Sequence, residues 1–107
     1  MGAPMYLIAQ LELSYGGVAE FMAVAPKVRA AMEQRGCKMI HAFSQETGRL
    51  NTFVHIWQLD SANSYVDAVA DLRQSPEIGD IVASLAKSVV NETLTLASAL
   101  PYGPDAA

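Results

Sequence analysis

The segment from Thr52 to Trp57 reads Thr-Phe-Val-His-Ile-Trp, and it limits the possible folds more than any other part of the chain. As a strand it places Phe53, His55 and Trp57 on one face and short aliphatic side chains on the other, because successive side chains point to opposite faces. Both faces are largely apolar, so both must be covered. We predict that the face with the histidine and the indole contacts a ligand.

The patterns on either side of this segment predict an ordered series of strands and helices. Apolar spacing indicates a strand over 5–13, a helix over 18–35 and two strands over 37–46 and 50–59 that are joined by a hairpin. A helix in two parts follows over 60–89, and a last strand over 92–100. This βαββαβ order is typical of the α+β ferredoxin-like fold, an antiparallel four-stranded sheet with helices on one face. We predict a single domain over 1–100 and an exposed tail over 101–107.

The hairpin connection decides which side chains share a face. We predict that it consists of Thr47-Gly48-Arg49, and an odd number of residues keeps odd-numbered positions of both strands on the same face. His41 would then lie opposite or diagonal to His55, within cross-strand reach. Met39 and Phe43 would share that surface.

One face of this sheet is expected to need a second chain. We expect the helices to cover Ile40, Val54 and Ile56, which leaves the face of His55 and Trp57 open to solvent. Hydrophobic residues make up 51% of the chain and charged residues 17%, a surplus of apolar side chains that fits an interface. We therefore predict a homodimer that pairs sheet against sheet, with a cavity for a small apolar or aromatic molecule between the sheets.

Charge and hydropathy exclude several classes of partner. The net charge of −4 provides no basic surface for nucleic acid or an anionic membrane. No apolar run approaches the roughly 20 residues of a membrane span. The first residues, Met1 to Pro4, are too few and too uncharged for the start of a secretory signal. We predict a cytoplasmic protein that binds neither nucleic acid nor membranes.

Several short motifs together resemble the NIPSNAP family. They are Val18-Ala19-Glu20-Phe21, Gly36-x-Lys38, Glu46-x-Gly48-x-Leu50-Asn51-Thr52, Val54-His55-x-Trp57, Asp60-Ser61 and Pro76-Glu77. The resemblance extends over nearly the whole chain and implies a dimeric α+β barrel. That wider fold group includes cofactor-free monooxygenases of antibiotic biosynthesis, polyketide cyclases, muconolactone isomerases and haem-degrading enzymes. Relatives commonly carry a polar Glu-x-Arg-x-Tyr on the first strand, whereas this chain has Leu7, Ala9 and Leu11, which implies a more apolar cavity.

His55 is the main candidate for catalysis, with His41 as its assistant. An imidazole has an unperturbed pKa near 6.5 and can give and take a proton near neutrality. The alternative is a core histidine that is hydrogen-bonded to a neighbour. The predicted ligand-binding residues are apolar, aromatic or amide side chains, namely Leu11, Met39, Phe43, Asn51, Phe53 and Trp57. These aromatic side chains could equally pack an interior, and Asn51 could be a turn residue.

Three functions remain open from the sequence. The first is a cofactor-independent enzyme of the cyclase or isomerase type that uses histidine acid/base chemistry on an apolar or polyketide-like molecule. The second is a cofactor-free monooxygenase of the same fold, and the third is a non-enzymatic small-molecule-binding or interaction protein. We expect no metal, because two histidines lack a third ligand at a suitable spacing. We expect no nucleotide cofactor, because no phosphate loop or Gly-rich fingerprint occurs.

Overall fold

The computed structural model describes residues 5–104 of the chain. Its strands and helices are β1 (Met5–Leu13), α1 (Val18–Glu33), β2 (Cys37–Ser44), β3 (Thr52–Leu59), α2 (Ser64–Leu72), α3 (Ile78–Ser88) and β4 (Val89–Ser98). The order and approximate bounds agree with the sequence periodicity, including the helix in two parts. Residues 1–4 of the predicted domain and 105–107 of the predicted tail lie outside the described range.

The strands form one antiparallel sheet in the order β2-β3-β1-β4. On the central strand β1, Ala9 pairs with His55 of β3 on one side and with Leu94 of β4 on the other. The helices pack against one face of this sheet. The predicted α+β ferredoxin-like fold is therefore confirmed.

The helices cover the face of the sheet opposite to the one expected. The ring of Phe21 on α1 lies 5.6 Å from that of Phe53 and stacks on His55 at 5.9 Å between ring centroids. Trp57 is only 5% exposed. The expectation that Val54 and Ile56 lie under the helices is therefore wrong.

The alternation along β1 explains this choice of face. Its odd-numbered side chains are apolar and buried, whereas polar Gln10 and Glu12 point to the other face. The pairing of β1 with β3 places the odd-numbered side chains of both strands on the same surface. The helices cover that surface because it offers the larger continuous apolar area, and apolar burial is the main driving force of packing.

A β-bulge in β2 separates the two histidines. Met39 pairs with Trp57, but His41 pairs with Ile56, so Ile40 is an extra residue in β2. Beyond the bulge, the even-numbered residues of β2 share a face with the odd-numbered residues of β3. The expectation that His41 lies beside its partner histidine is therefore wrong.

The hairpin loop is longer than the predicted Thr47-Gly48-Arg49. β2 ends at Ser44 and β3 begins at Thr52. The Gln45 side chain donates hydrogen bonds to the carbonyl oxygens of Thr47 and Arg49, at 3.2 and 3.1 Å. In a tight turn these carbonyl groups would have backbone partners in the strand pair. In the longer loop the Gln45 side chain is their partner, which stabilises the connection.

α1 ends at Glu33, close to the predicted bound at 35. Gly36 adopts a φ of 87°, the left-handed conformation of a residue that follows a helix. The Nε atom of Arg35 donates to the carboxylate of Asp71 at 2.7 Å, which connects this end of α1 to α2. Pro26 lies inside α1 without ending it.

Candidate functional site

A cavity of about 410 Å³ lies between the sheet and the helices. Its floor is β1, and its deepest side chains include Leu7, Phe21 and Trp57, each no more than 5% exposed. Its mouth lies between α3 and the edge strand β4, where Val82 is 54% and Leu94 is 39% exposed. The volume is enough for a molecule of a few rings.

The polar side chains that line this cavity come from three parts of the chain. They are His55 on β3, Tyr65 on α2, Arg73 just after α2 and Glu92 on β4. The contributions of α1, α3 and β1 are apolar. A largely apolar cavity with a few convergent polar groups is the usual form of a small-molecule site.

Burial holds His55 in its neutral form. The ring is half-buried between Phe21 and Trp57, and loss of water lowers the pKa of His55 below the ordinary 6.5. At neutral pH it is therefore an uncharged imidazole. A neutral imidazole has a free lone pair and can accept a proton.

The surroundings of Glu92 raise its pKa. Although Glu92 is exposed by surface area in the single chain, the apolar groups of the cavity mouth remove enough water to raise the pKa of this carboxyl above 4.5. The pKa of Tyr65 is also raised, mainly by burial and to a smaller extent by the charges of Glu92 and Cys37. The charge of Arg73 lowers it. The charges of Glu92 and Arg73 therefore both act on Tyr65.

A second, more open groove of about 380 Å³ lies between α1 and the β2-β3 hairpin. Phe21, Ala25, Met39 and His55 line both this groove and the cavity. The imidazole is therefore accessible from two sides, separated by the side chains of α1 and β2.

The structure brings most of the predicted site residues together. Leu11, Met39, His55 and Trp57 line the cavity, and Phe53 lines the adjoining groove. These residues lie between the sheet and the helices of one chain. The prediction that their face forms a cavity between two sheets is therefore corrected.

The other predicted residues lie elsewhere. His41 stacks on Phe43 at 5.2 Å between ring centroids, on the uncovered face of the sheet. Phe43 is 52% exposed and also borders the groove. Asn51 precedes β3 in the hairpin loop with a φ of 62°, and it lines neither the cavity nor the groove. His41 and Asn51 are thus not positioned to assist His55.

Sequence reasoning missed Tyr65, Arg73 and Glu92. Tyr65 falls at an apolar position of the helical spacing, which by itself indicates packing and not a site. Glu92 has a signal that could have identified it, because it shares its parity with Leu94 and Leu96 and therefore lies on the same face of the last strand. A single carboxylate between apolar residues on one strand face makes Glu92 a candidate for the cavity lining.

Two further features concern metals and membranes. Within residues 5–104, no group of three side chains of the kinds that bind metals comes close enough to hold an ion. Over the same range, no helix is both long and apolar enough to cross a membrane.

Solved structures with this fold include proteins of several kinds. A NIPSNAP family protein of unknown function from Agrobacterium tumefaciens has a TM-score of 0.82 at 17% identity, over 95% of this chain and 93% of that one. A NIPSNAP domain protein from Burkholderia xenovorans has a TM-score of 0.80 at 16% identity, over 94% and 99%. SnoaB, a cofactor-independent oxygenase from Streptomyces nogalater, has a TM-score of 0.74 at 15% identity, over 97% and 100%.

These identities establish a common fold and no more. The fold is thus related to that of a cofactor-independent oxygenase. No protein of curated function matches the sequence. The family model named NIPSNAP matches residues 6–104. Because that match spans nearly the whole chain, the protein belongs to the NIPSNAP family.

Proposed function

We propose that this protein is a cofactor-independent enzyme of the isomerase or cyclase type, which moves a proton on a small, largely apolar molecule bound in the cavity. The observation that carries the proposal is the position of His55, a neutral imidazole in an otherwise apolar lining. An apolar site strengthens electrostatic interactions with a bound molecule, because little water competes for them. Proton transfer by a positioned side chain needs no cofactor.

His55 acts as the base in this proposal. Its ring is held by Phe21 and Trp57, so its orientation is restricted before a ligand arrives. The lowered pKa keeps the ring unprotonated at neutral pH, where it can accept a proton from an acidic C–H bond. The resulting imidazolium can return the proton to another atom of the same molecule, which completes an isomerisation.

A proton-exchange assay tests this function without knowledge of the natural substrate. The probe is 2-tetralone, a bicyclic apolar ketone with acidic C–H bonds, incubated with the protein in deuterated water. Nuclear magnetic resonance follows the incorporation of deuterium, and the fluorescence of Trp57, the single tryptophan, reports binding in the cavity. We expect exchange by the wild type and a loss on the order of a hundredfold in His55→Gln. Binding without exchange would favour the non-enzymatic binding protein.

A cofactor-free monooxygenase is the second candidate function. The similarity in fold to SnoaB, a cofactor-independent oxygenase, favours it. Both candidates share the first step, because removal of a proton by His55 produces the carbanion that would react with oxygen. An oxygen electrode in the same incubation separates them, since an isomerase exchanges protons without consuming oxygen.

We propose in addition that two copies of the chain form a homodimer through the uncovered face of the sheet. Tyr6, Ile8, Val54, Ile56 and Phe43 lie on that face, where the helices of residues 5–104 provide no cover. An apolar sheet face of this size is a liability in water unless another chain buries it. The cytoplasmic location stays a prediction from the sequence.

A further inference from the structure

We propose that Glu92 is the second proton-transfer group of the cavity, and that it binds the carbonyl oxygen of a ketone whose neighbouring carbon faces His55. This inference rests on the proposed function and adds the class of substrate, an enolisable ketone of one or two rings. It assigns a catalytic role to a residue on the edge strand β4.

The pairing of the strands places the two groups on opposite sides of β1. Ala9 pairs with His55 and Leu11 pairs with Glu92, and all four positions belong to the face under the helices. With about 4.8 Å between neighbouring strands and about 3.4 Å per residue, the two backbones are about 12 Å apart on a diagonal. A small molecule that lies across β1 can contact both side chains.

The floor between the two groups is suited to a flat apolar ligand. Ala9, the smallest side chain that β1 contributes to the lining, lies between β3 and β4 at the level of the imidazole. Leu11 follows at the level of Glu92. The floor is therefore lowest beside His55, where the reacting carbon would lie.

The groups that surround Glu92 allow it to give and regain a proton. Tyr65 of α2 and Arg73 line the same cavity, and the charges of Glu92 and Arg73 act in opposite directions on the pKa of Tyr65. The side chains of α1, α3 and β1 in the lining are apolar, and on β3 the only titratable group there is His55. Loss of water raises the pKa of Glu92, which favours the acid form that a carbonyl oxygen requires.

The protein and the substrate together supply every proton and electron pair that the reaction step needs. The C–H bond next to the carbonyl breaks, and the proton moves to the imidazole of His55. The electron pair forms the carbon–carbon double bond of the enol, while the carbonyl oxygen takes the proton of Glu92. Reversal of both proton transfers returns the ketone. The carbon then carries a deuteron if the imidazolium has exchanged its proton with deuterated water.

The test uses the same probe on the full-length chain. We expect Glu92→Gln to bind 2-tetralone, as seen by Trp57 fluorescence, and to exchange its protons about a hundredfold more slowly than the wild type. In the wild type, the rate should fall as the pH rises through the folded-state pKa of Glu92, and the Glu92→Gln variant should lack this decline. If the glutamine variant misfolds, the variant Glu92→Thr replaces it, because threonine has a high strand propensity. It should show the same loss in the rate of proton exchange.

The control is Glu46→Gln, which makes the same chemical change in the exposed hairpin loop and should leave the rate unchanged. The inference is overturned if Glu92→Gln exchanges protons as fast as Glu46→Gln while His55→Gln is impaired, a result that leaves the proposed function intact. A wild type that binds 2-tetralone but does not exchange its protons overturns both proposals.

Discussion

The two histidines lie on opposite faces of one sheet, and their surroundings give them different properties. His55 is stacked against Phe21 beside the cavity, whereas His41 is exposed and stacked on Phe43. Only the first is shielded from water in a space where a ligand fits. At the scale of single residues, the proposed chemistry therefore uses one imidazole and the carboxyl of Glu92.

The lowered pKa of His55 has a measurable effect on stability. The unfolded chain binds more protons than the folded chain between the folded-state pKa and 6.5. The free energy of unfolding should therefore decrease as pH falls through 6.5, and it should level off below the folded-state pKa. Urea unfolding at several pH values should show this decrease in the wild type and a smaller one in His55→Phe.

The same shift can be measured directly from the ring proton signals in nuclear magnetic resonance, with His41→Gln to assign the two histidines. A folded-state pKa of 6.5 or above for His55 would contradict the desolvation described for the cavity.

Trp57 contributes to stability from the covered side of the sheet. Its side chain is 5% exposed between β3 and the helices, so Trp57→Ala should lower the free energy of unfolding by about 3–5 kcal/mol. Val54 is half-buried on the other face, so Val54→Ala should cost no more than about 1.5 kcal/mol. Denaturant unfolding at one fixed protein concentration measures both. A larger loss for the valine variant would mean that the two faces are reversed.

At the scale of elements, the bulge in β2 has the largest consequence for the site. The extra residue Ile40 keeps Met39 under the helices and turns His41 and Phe43 to the uncovered face. A bulge redirects side chains in this way without ending the strand. Because of the extra residue Ile40, β2 contributes only Met39 to the cavity lining.

The connection from α1 to β2 depends on a left-handed residue. Gly36 has a φ of 87° and open space where a Cβ would be, so Gly36→Ala should destabilise the fold through backbone strain alone, by about 1–2 kcal/mol. Gly79 lies within α3 and also has open space. Gly79→Ala should stabilise the protein by up to about 1 kcal/mol, because alanine favours helix.

Thermal and urea unfolding of the two glycine variants provides a test in which the signs are opposite. Equal effects of the two substitutions would argue against the left-handed conformation at Gly36.

At the scale of the whole molecule, each sheet face has its own role. The face under the helices holds the core and the cavity, and the other face carries an apolar patch bordered by polar residues such as Gln10 and Thr93. A patch of this composition resembles the centre and rim of a protein interface. The homodimer would therefore leave each cavity within its own chain.

Light scattering at micromolar concentration should give twice the chain mass of 11.5 kDa. Val54→Asp places a charge in the proposed interface and should shift the mass toward that of a single chain, with circular dichroism to verify the fold. The control Val66→Asp makes the same change on an exposed position of α2 and should not alter the mass. A wild type with the mass of one chain would overturn the dimer.

Local periodicity alone was enough to predict the order of the elements and the approximate end of α1 before Gly36, and it identified His55 and Trp57 as candidate site residues. Those features depend on residues that are close together in sequence, where strand and helix spacing are directly visible. The family motifs are equally local.

The tertiary structure decided which face of the sheet the helices cover and which residues share the cavity. The covered face depends on the summed apolar area of neighbouring strands, which the alternation within one strand does not reveal. The bulge at Ile40 and the approach of Glu92 to the cavity depend on pairing between distant segments, and a shift of one residue turns every side chain beyond it to the other face. For this physical reason the sequence by itself determined the fold of the protein, and only the tertiary structure determined which residues share the cavity.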